Sequence, residues 1–241
     1  MDYGIQLYSV RDAMQEDMRG TLQKIADMGY KFVEFAGFFG HSAEEVKQML
    51  QETGLRISGT HSSFEDLRPS NILQTLAYHK TIGNPDYIVP GADLSTPEKM
   101  EDFCAVMNFA QPILAAEGMG LGYHNHSHEF AVLPSGATVH GELQRKTQVH
   151  FEIDTFWAFN AGCDPIAVME RLKDRIHVIH LKDGFKDGKG MPLGQGEAPV
   201  KAVIGHAAKN GLAMVVESET LCPSGLAEAE ACIGFLKSLE G

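Results

Sequence analysis

Long apolar runs are missing from this 241-residue chain, and with them the usual means of crossing a bilayer as a helix. Clustered cysteine is missing as well. Cys104, Cys163, Cys222 and Cys232 are scattered with no Cys-x-x-Cys pair, which argues against a disulfide framework and against a zinc ribbon. The opening MDYGIQLYSVRD has no basic region followed by an apolar core, so no signal peptide is expected and a cytoplasmic location follows by default. Lysine and arginine are in deficit, and no local basic run relieves the formal net charge of −12. Such a surface repels a phosphate backbone, so nucleic acid is not an expected partner. Repeats and low-complexity tracts are absent too, which leaves the composition of an ordinary soluble globular protein.

What is present alternates. Eight short runs rich in β-branched and aromatic residues read as strands: 3–8, 31–36, 55–60, 86–91, 121–126, 149–154, 176–181 and 213–218. Between them lie segments of helical period with recognisable ends. Ser42 with Glu45 and Ser95 with Glu98 have capping-box spacing. Asp164 before Pro165 reads as an N-cap with proline at the first helical position. Gly29, Gly54, Gly118 and Gly211 fall where helices should end. Pro112 should kink or split the segment 95–117, and the short polar stretch 131–147 should give the weakest helix.

Eight β-then-α units without a linker favour a single (β/α)8 TIM barrel over residues 1–241, a length such barrels reach as one domain. An open doubly wound sheet would place a glycine-rich phosphate loop at its first strand-to-helix turn, and YSVRDAM has none.

In a barrel, chemistry belongs at the carboxyl ends of the strands. Strand one offers Gln6 and Tyr8, strand two Glu34, and strand three leads into His61. Strand five delivers His124 and His126, strand six Asp154, strand seven His180 with Lys182 beyond it, and strand eight Glu217 with Glu219. His124, Asp154, His180 and Glu217 come from consecutive strands about 4.8 Å apart, so four inward groups at one level can converge on a cation. Mixed imidazole and carboxylate donors suit Mn2+, Co2+, Zn2+ or Fe2+ better than Ca2+, with Mg2+ also admissible. Each residue also has a plainer role: Asp154 and Asp183 can cap the helices after them, and Lys182 and Glu219 can face water. Carboxylates and histidines gathered at four successive strand ends are costly unless paired or coordinated, and that favours the metal.

The segments YHNHSHEF, FEIDTFWAFNAGCDP, IHVIHLKDG and PLGQGEAPV, with the opening GIQLYSVRD, resemble the sugar phosphate isomerase/epimerase family of xylose isomerase-like TIM barrels. The likeness runs through nearly the whole chain. It implies a divalent ion held at the ends of strands five to eight, with Asp154, His180 and Glu217 in the family's strand-six, strand-seven and strand-eight positions. The family's ketose epimerases have a glutamate on strand five where this chain shows His124, and a substrate-binding histidine where it shows Trp157. The first change removes half of a symmetric two-glutamate proton exchange.

The resemblance implies a sugar isomerase or epimerase working on a sugar or keto-sugar through a metal-stabilised enediolate. Glu217 is then the expected base, His126 and Lys182 its partners in proton return, and Glu34, His61 and Trp157 the residues lining the sugar. A lyase or dehydratase acting on a cyclitol or 3-keto-glycoside by β-elimination shares every one of these residues. A non-catalytic sugar-binding barrel would keep the fold and the ion, and a related metal-dependent endonuclease would need a basic groove. Without a phosphate-binding glycine loop, an unphosphorylated substrate is favoured. Many barrels of this kind pair, so a homodimer is the assembly to expect. The glycines of GQGE, 194–197, would let that loop fold over the site or simply form a surface turn.

Overall fold

A computed structural model describes residues 1–133 and 136–240. Eight parallel strands close into a barrel: β1 Gly4–Gln6, β2 Phe32–Ala36, β3 Arg56–His61, β4 Asp86–Val89, β5 Gly120–His124, β6 His150–Asp154, β7 Ile176–Leu181 and β8 Ala213–Val216. Each strand pairs with its sequence neighbours, and β1 closes on β8 through Gly4 opposite Val215. Helices fill the connections, so the fold is the (β/α)8 barrel expected from the alternation.

Several expected boundaries shorten for local reasons. β1 ends at Gln6 because its side-chain oxygen accepts the Tyr8 N–H, turning Leu7–Val10 into a short 3-10 helix. β4 stops at Val89, before Pro90, which has no N–H to offer the ladder. β5 stops at His124, and the next residue continues the pairing by other means. The Asn125 side chain donates to Asp154 O and accepts from Asp154 N, both at 3.2 Å. An amide thus stands in for a peptide unit and locks the ends of β5 and β6 together.

Helix ends follow the same logic. The Ser42–Glu45 capping box forms, Asp164 accepts from Ile166 N ahead of Pro165, and Gly29, Gly54 and Gly211 end their helices at positive φ. The expected Ser95–Glu98 box does not form. Thr96 is the N-cap of Pro97–Ala116, accepting from Lys99 N, because the Ser95 hydroxyl donates to Asp93 instead. That helix also runs through Pro112 unbroken. The polar stretch after β5 yields only Val139–Lys146. No helix among the described residues is long and apolar enough to cross a membrane.

Candidate metal centre

The barrel interior divides into an apolar part and a charged part. The apolar part is Phe32, Val178 and Val215, each two residues before an inward polar group, whereas Ile5, Val33, Phe35, Phe151, Ile153 and Ile179 take the opposite face and join the main core under the helices. Toward the carboxyl ends the packing is polar: Glu34, His124, Glu152, Asp154, His180, Lys182 and Glu217 are all buried. Buried charge at this density persists only where each group finds a partner or a ligand.

The four residues expected to converge do so. His124, Asp154, His180 and Glu217 each present a ligand atom, and these atoms lie within 4.8 Å of one another. β5, β6 and β7 end at the same level, with His124 opposite Glu152 and Asp154 opposite His180 in the ladder. Glu217 joins them from just beyond β8, where its N–H bonds to Leu181 O. His180 Nδ1 stands 3.3 Å from Glu217 Oε2.

Asp154 satisfies both readings of its position at once. Its Oδ1 accepts the Trp157 N–H at 2.8 Å and caps the helix Thr155–Asn160. Its Oδ2 is buried without a hydrogen-bond partner. Two imidazoles and two carboxylates, one with an orphaned oxygen, form a donor set that fits a divalent transition ion.

Lys182 supplies the positive charge nearest these carboxylates. Its Nζ is 3.3 Å from Glu217 Oε2, 2.5 Å from Glu219 Oε2 and 4.0 Å from Asp154 Oδ2, and lies 4.7 Å above the Trp157 ring. It is therefore buried and fully engaged, not a solvated lysine. Burial favours its neutral form, but Glu217 and Asp154 outweigh that and hold the ammonium firmly charged. Burial likewise works against ionised Glu217, and Lys182 and His180 overcome it, keeping this carboxyl well below the usual range. At Asp154 the balance reverses: burial dominates, and the carboxyl is pushed up to about 7 despite Lys182.

Directly behind these groups lies a further layer in which Glu34 and His61 meet Glu152, a residue the strand-end reading does not name. Glu152 is two residues before Asp154 on the same face of β6. Its Oε2 is 2.6 Å from His61 Nε2, 3.1 Å from His124 Nδ1 and 3.2 Å from His180 Nε2. Glu34 closes the ring, 2.9 Å from His61 Nε2 and 3.0 Å from His180 Nε2. His61, His124, Glu152 and His180 also have ligand-type atoms within 4.8 Å of one another. The 2.6 Å contact makes this layer a closed hydrogen-bonded cluster. A carboxylate behind an imidazole fixes the ring's orientation and tautomer. Burial disfavours charge on His61, but Glu34 and Glu152 outweigh it and raise the imidazole to about 10. His124, between two charged rings and fully desolvated, falls to about 3 and stays neutral, the form in which imidazole ligates a metal. The signal for Glu152 was available in HFEID as an acidic residue sharing the alternation of Asp154.

A cavity of about 370 Å3 opens above the cluster, with Tyr8, His61, His124, His126, Glu217 and Glu219 in its walls. Glu34, expected to line the sugar, lies beneath it at 1% exposure, paired with His61 and His180. Trp157 stands behind Lys182, 6.0 Å from the His126 ring, with a buried, unpartnered indole N–H.

The loop YHNHSHEF divides its labour. His124 is at the cluster, Asn125 ties β5 to β6, and His126 reaches the cavity with a buried, unpartnered Nδ1. The His128 side chain is 67% exposed and stands apart from the cluster. Fully buried Glu129 holds the loop, accepting from Tyr123 Oη at 2.8 Å and from His126 N at 2.9 Å. GQGE is equally tied. Asp183 accepts from the N–H groups of Gly184, Gly194, Gly196 and Ala198, which fastens this loop to the end of β7.

Fold and cluster together define a (β/α)8 barrel with a buried His/Asp/Glu cluster at its mouth that could hold a metal ion. The profile described as Xylose isomerase-like TIM barrel matches residues 22–239, and the chain belongs to that family. A sugar phosphate isomerase/epimerase of Parabacteroides distasonis is 26% identical, with a TM-score of 0.84 over 98% of this chain and 97% of that one. Two more distant structures share the fold. A probable 3-DHS dehydratase of Bacillus anthracis is 13% identical, with a TM-score of 0.76 over 98% of this chain and 99% of that one. An L-ribulose 3-epimerase is 14% identical, with a TM-score of 0.74 over 99% and 94%. No curated protein matches the sequence.

Proposed function

We propose that this chain is a divalent-metal-dependent isomerase or epimerase of a sugar or keto-sugar. The observation that carries the reading is the convergence of His124, Asp154, His180 and Glu217 within 4.8 Å, with Asp154 Oδ2 left unpartnered. These four would hold the ion. When bound, it supplies Lewis-acid polarisation of a substrate carbonyl, which makes the neighbouring C–H acidic and stabilises an enediolate.

The chain's own groups do the rest. Glu217, kept ionised by Lys182 and lining the cavity, accepts the proton from carbon. His126 lines the same cavity on the side of Trp157 and would exchange a proton with substrate there. Lys182, next to Glu217 on that residue's own side, is better placed to neutralise developing charge or assist a departing hydroxyl than to reprotonate the opposite face. Glu34 and Glu152 hold His61 and His180 from behind, and His61 lines the cavity. Isomerase, epimerase and dehydratase names among proteins of this fold are in keeping with one shared carbanion-type intermediate.

Elimination is the second reading, favoured by the buried Lys182 ammonium beside Glu217, where a leaving hydroxyl would depart. Metal analysis followed by NMR in D2O against sugars and keto-sugars tests both. Deuterium entering one carbon of intact sugar supports isomerisation or epimerisation, and loss of water supports elimination. A protein that retains no divalent ion and exchanges no proton on any sugar would remove both readings.

A further inference from the structure

The cavity over the cluster is not isolated. A second cleft, about 540 Å3, shares His61 and Pro90 with it and runs out between the loops that follow β3 and β4. At about 370 Å3 the inner cavity lies near the small end of the usual ligand range of roughly 300–1,000 Å3, so one sugar ring suits it. The outer cleft has room for another unit.

The chemistry of its walls says what kind. Arg68 donates to Glu65 at 2.5 and 3.2 Å and to Asp102 at 3.2 and 2.7 Å, which commits four of its five N–H groups to carboxylates. Lys99 is paired with Asp93 at 2.5 Å. Three carboxylates stand against these two cations along the cleft, so its fixed charge, His61 aside, is negative. Both cations are engaged by carboxylates of the cleft, so a phosphate would have to compete with Glu65, Asp93 and Asp102 for them. Ser62 and Ser63 instead offer hydroxyl groups, and Phe64, Pro90 and Ala92 offer apolar surface, the mixture that suits the hydroxyls and C–H faces of a neutral carbohydrate.

We propose that the substrate has two units: the reacting sugar sits over the metal centre, and a neutral glycosidically linked second unit occupies the cleft beside Ser63, Phe64 and Pro90. The proposal deepens the sugar reading above and rests on it. It narrows the substrate class from a sugar or keto-sugar to a glycoside or disaccharide.

Gly91 allows a clean test. It lines the cleft, a Cβ there meets nothing within 4 Å, and its backbone lies outside the left-handed region, so a larger residue fills the cleft without straining the fold. Trp157, the single tryptophan, stands beside His126 and Lys182 and reports occupancy of the inner cavity by its fluorescence. The metal-loaded protein is titrated with glucose, fructose, their 6-phosphates, and neutral disaccharides containing these sugars. At least one disaccharide should bind about tenfold or more tightly than its component sugar and than the phosphates. Gly91→Leu should erase that advantage while leaving monosaccharide affinity within about twofold, and Gly91→Ala should behave like the parent. If no disaccharide outranks the monosaccharides, or Gly91→Leu weakens both alike or neither, the proposal is overturned. Solvent exchange in D2O is read separately. Exchange on single sugars without a disaccharide preference defeats the two-unit substrate alone, whereas a disaccharide preference with no exchange defeats only the catalytic reading.

Discussion

Glu152 Oε2 and His61 Nε2 lie 2.6 Å apart, and the same oxygen also faces one nitrogen each of His124 and His180. One buried carboxylate therefore sets the pose of two candidate ligands from behind. Glu152→Gln should keep the shape but replace an acceptor for three imidazoles with a neutral amide. Metal affinity should fall about 10- to 100-fold, the usual cost of losing such a partner. The d–d spectrum of a Co2+-loaded sample should shift as well, because the rings reorient. Unchanged affinity and spectrum would show that the layer behind the site merely fills space.

Asp154 links metal uptake to pH. Burial lifts its carboxyl to about 7, whereas the unfolded chain ionises near the ordinary aspartate value of 3.8. Its contribution to the stability of the metal-free protein is therefore full below 3.8 and is lost as pH rises through about 7. Metal binding requires ionised Asp154 and release of a proton from His180, which its carboxylate neighbours hold charged, so Mn2+ affinity measured by calorimetry should climb with pH through about 7 and continue to rise above it. Asp154→Asn still accepts the Trp157 N–H, so the helix cap persists while the ligand charge disappears. That variant should bind Mn2+ at least about 100-fold more weakly and melt no earlier than the metal-free parent. A pH-independent affinity would contradict the role given to Asp154.

The barrel and the four-residue cluster were legible because the ends of strands five to eight carry polar residues in phase with β alternation. Position alone placed Asp154, His180 and Glu217. What alternation could not convey is depth. Glu34 and Asp154 both read as inward groups, yet Glu34 sits one layer down, bonded to His61 and His180. Glu152 was passed over because Phe151 and Ile153 make its strand look like plain core, and only the ladder pairing with His124 reveals its purpose. The Ser95–Glu98 box failed for an equally local reason, since Asp93 competes for the Ser95 hydroxyl two residues earlier in the chain.

Asp183 decides whether GQGE behaves as a lid. Its two oxygens accept four backbone N–H groups, at 2.8 Å from Gly184, 2.9 Å from Gly194, 3.0 Å from Gly196 and 3.1 Å from Ala198. A Cβ at residue 196 would fall 2.2 Å from Asp183 Oδ1, so that glycine serves close packing. Asp183→Ala strands several buried donors and should cost about 3 kcal/mol or more. Limited proteolysis within residues 185–198 should accelerate, while Mn2+ affinity changes only a few-fold. If Asp183→Ala left proteolysis and melting untouched, the loop would be held by something other than this carboxylate.

His140 is a buried imidazole with no use for its nitrogens. It stacks on Phe130 at 4.9 Å and approaches Phe151 at 4.7 Å, and neither Nδ1 nor Nε2 has a hydrogen-bond partner. Burial, aided by Arg171 and Arg175, lowers its pKa to about 3, against the ordinary histidine value of 6.5. The sign follows directly: the neutral ring's contribution is complete above 6.5 and is lost as pH falls toward 3, because the unfolded chain takes up a proton that the folded chain refuses. Each pH unit in that window removes about 1.4 kcal/mol. His140→Phe keeps an aromatic ring in the stack and removes both the unpartnered nitrogens and the titration. It should raise stability by about 1–3 kcal/mol at neutral pH. Its advantage over the parent should widen steadily between pH 6.5 and 4 in urea titrations. A constant or shrinking gap would mean that the imidazole is hydrogen-bonded in solution, by water entering beside Phe130, and that its burial is not the source of acid sensitivity.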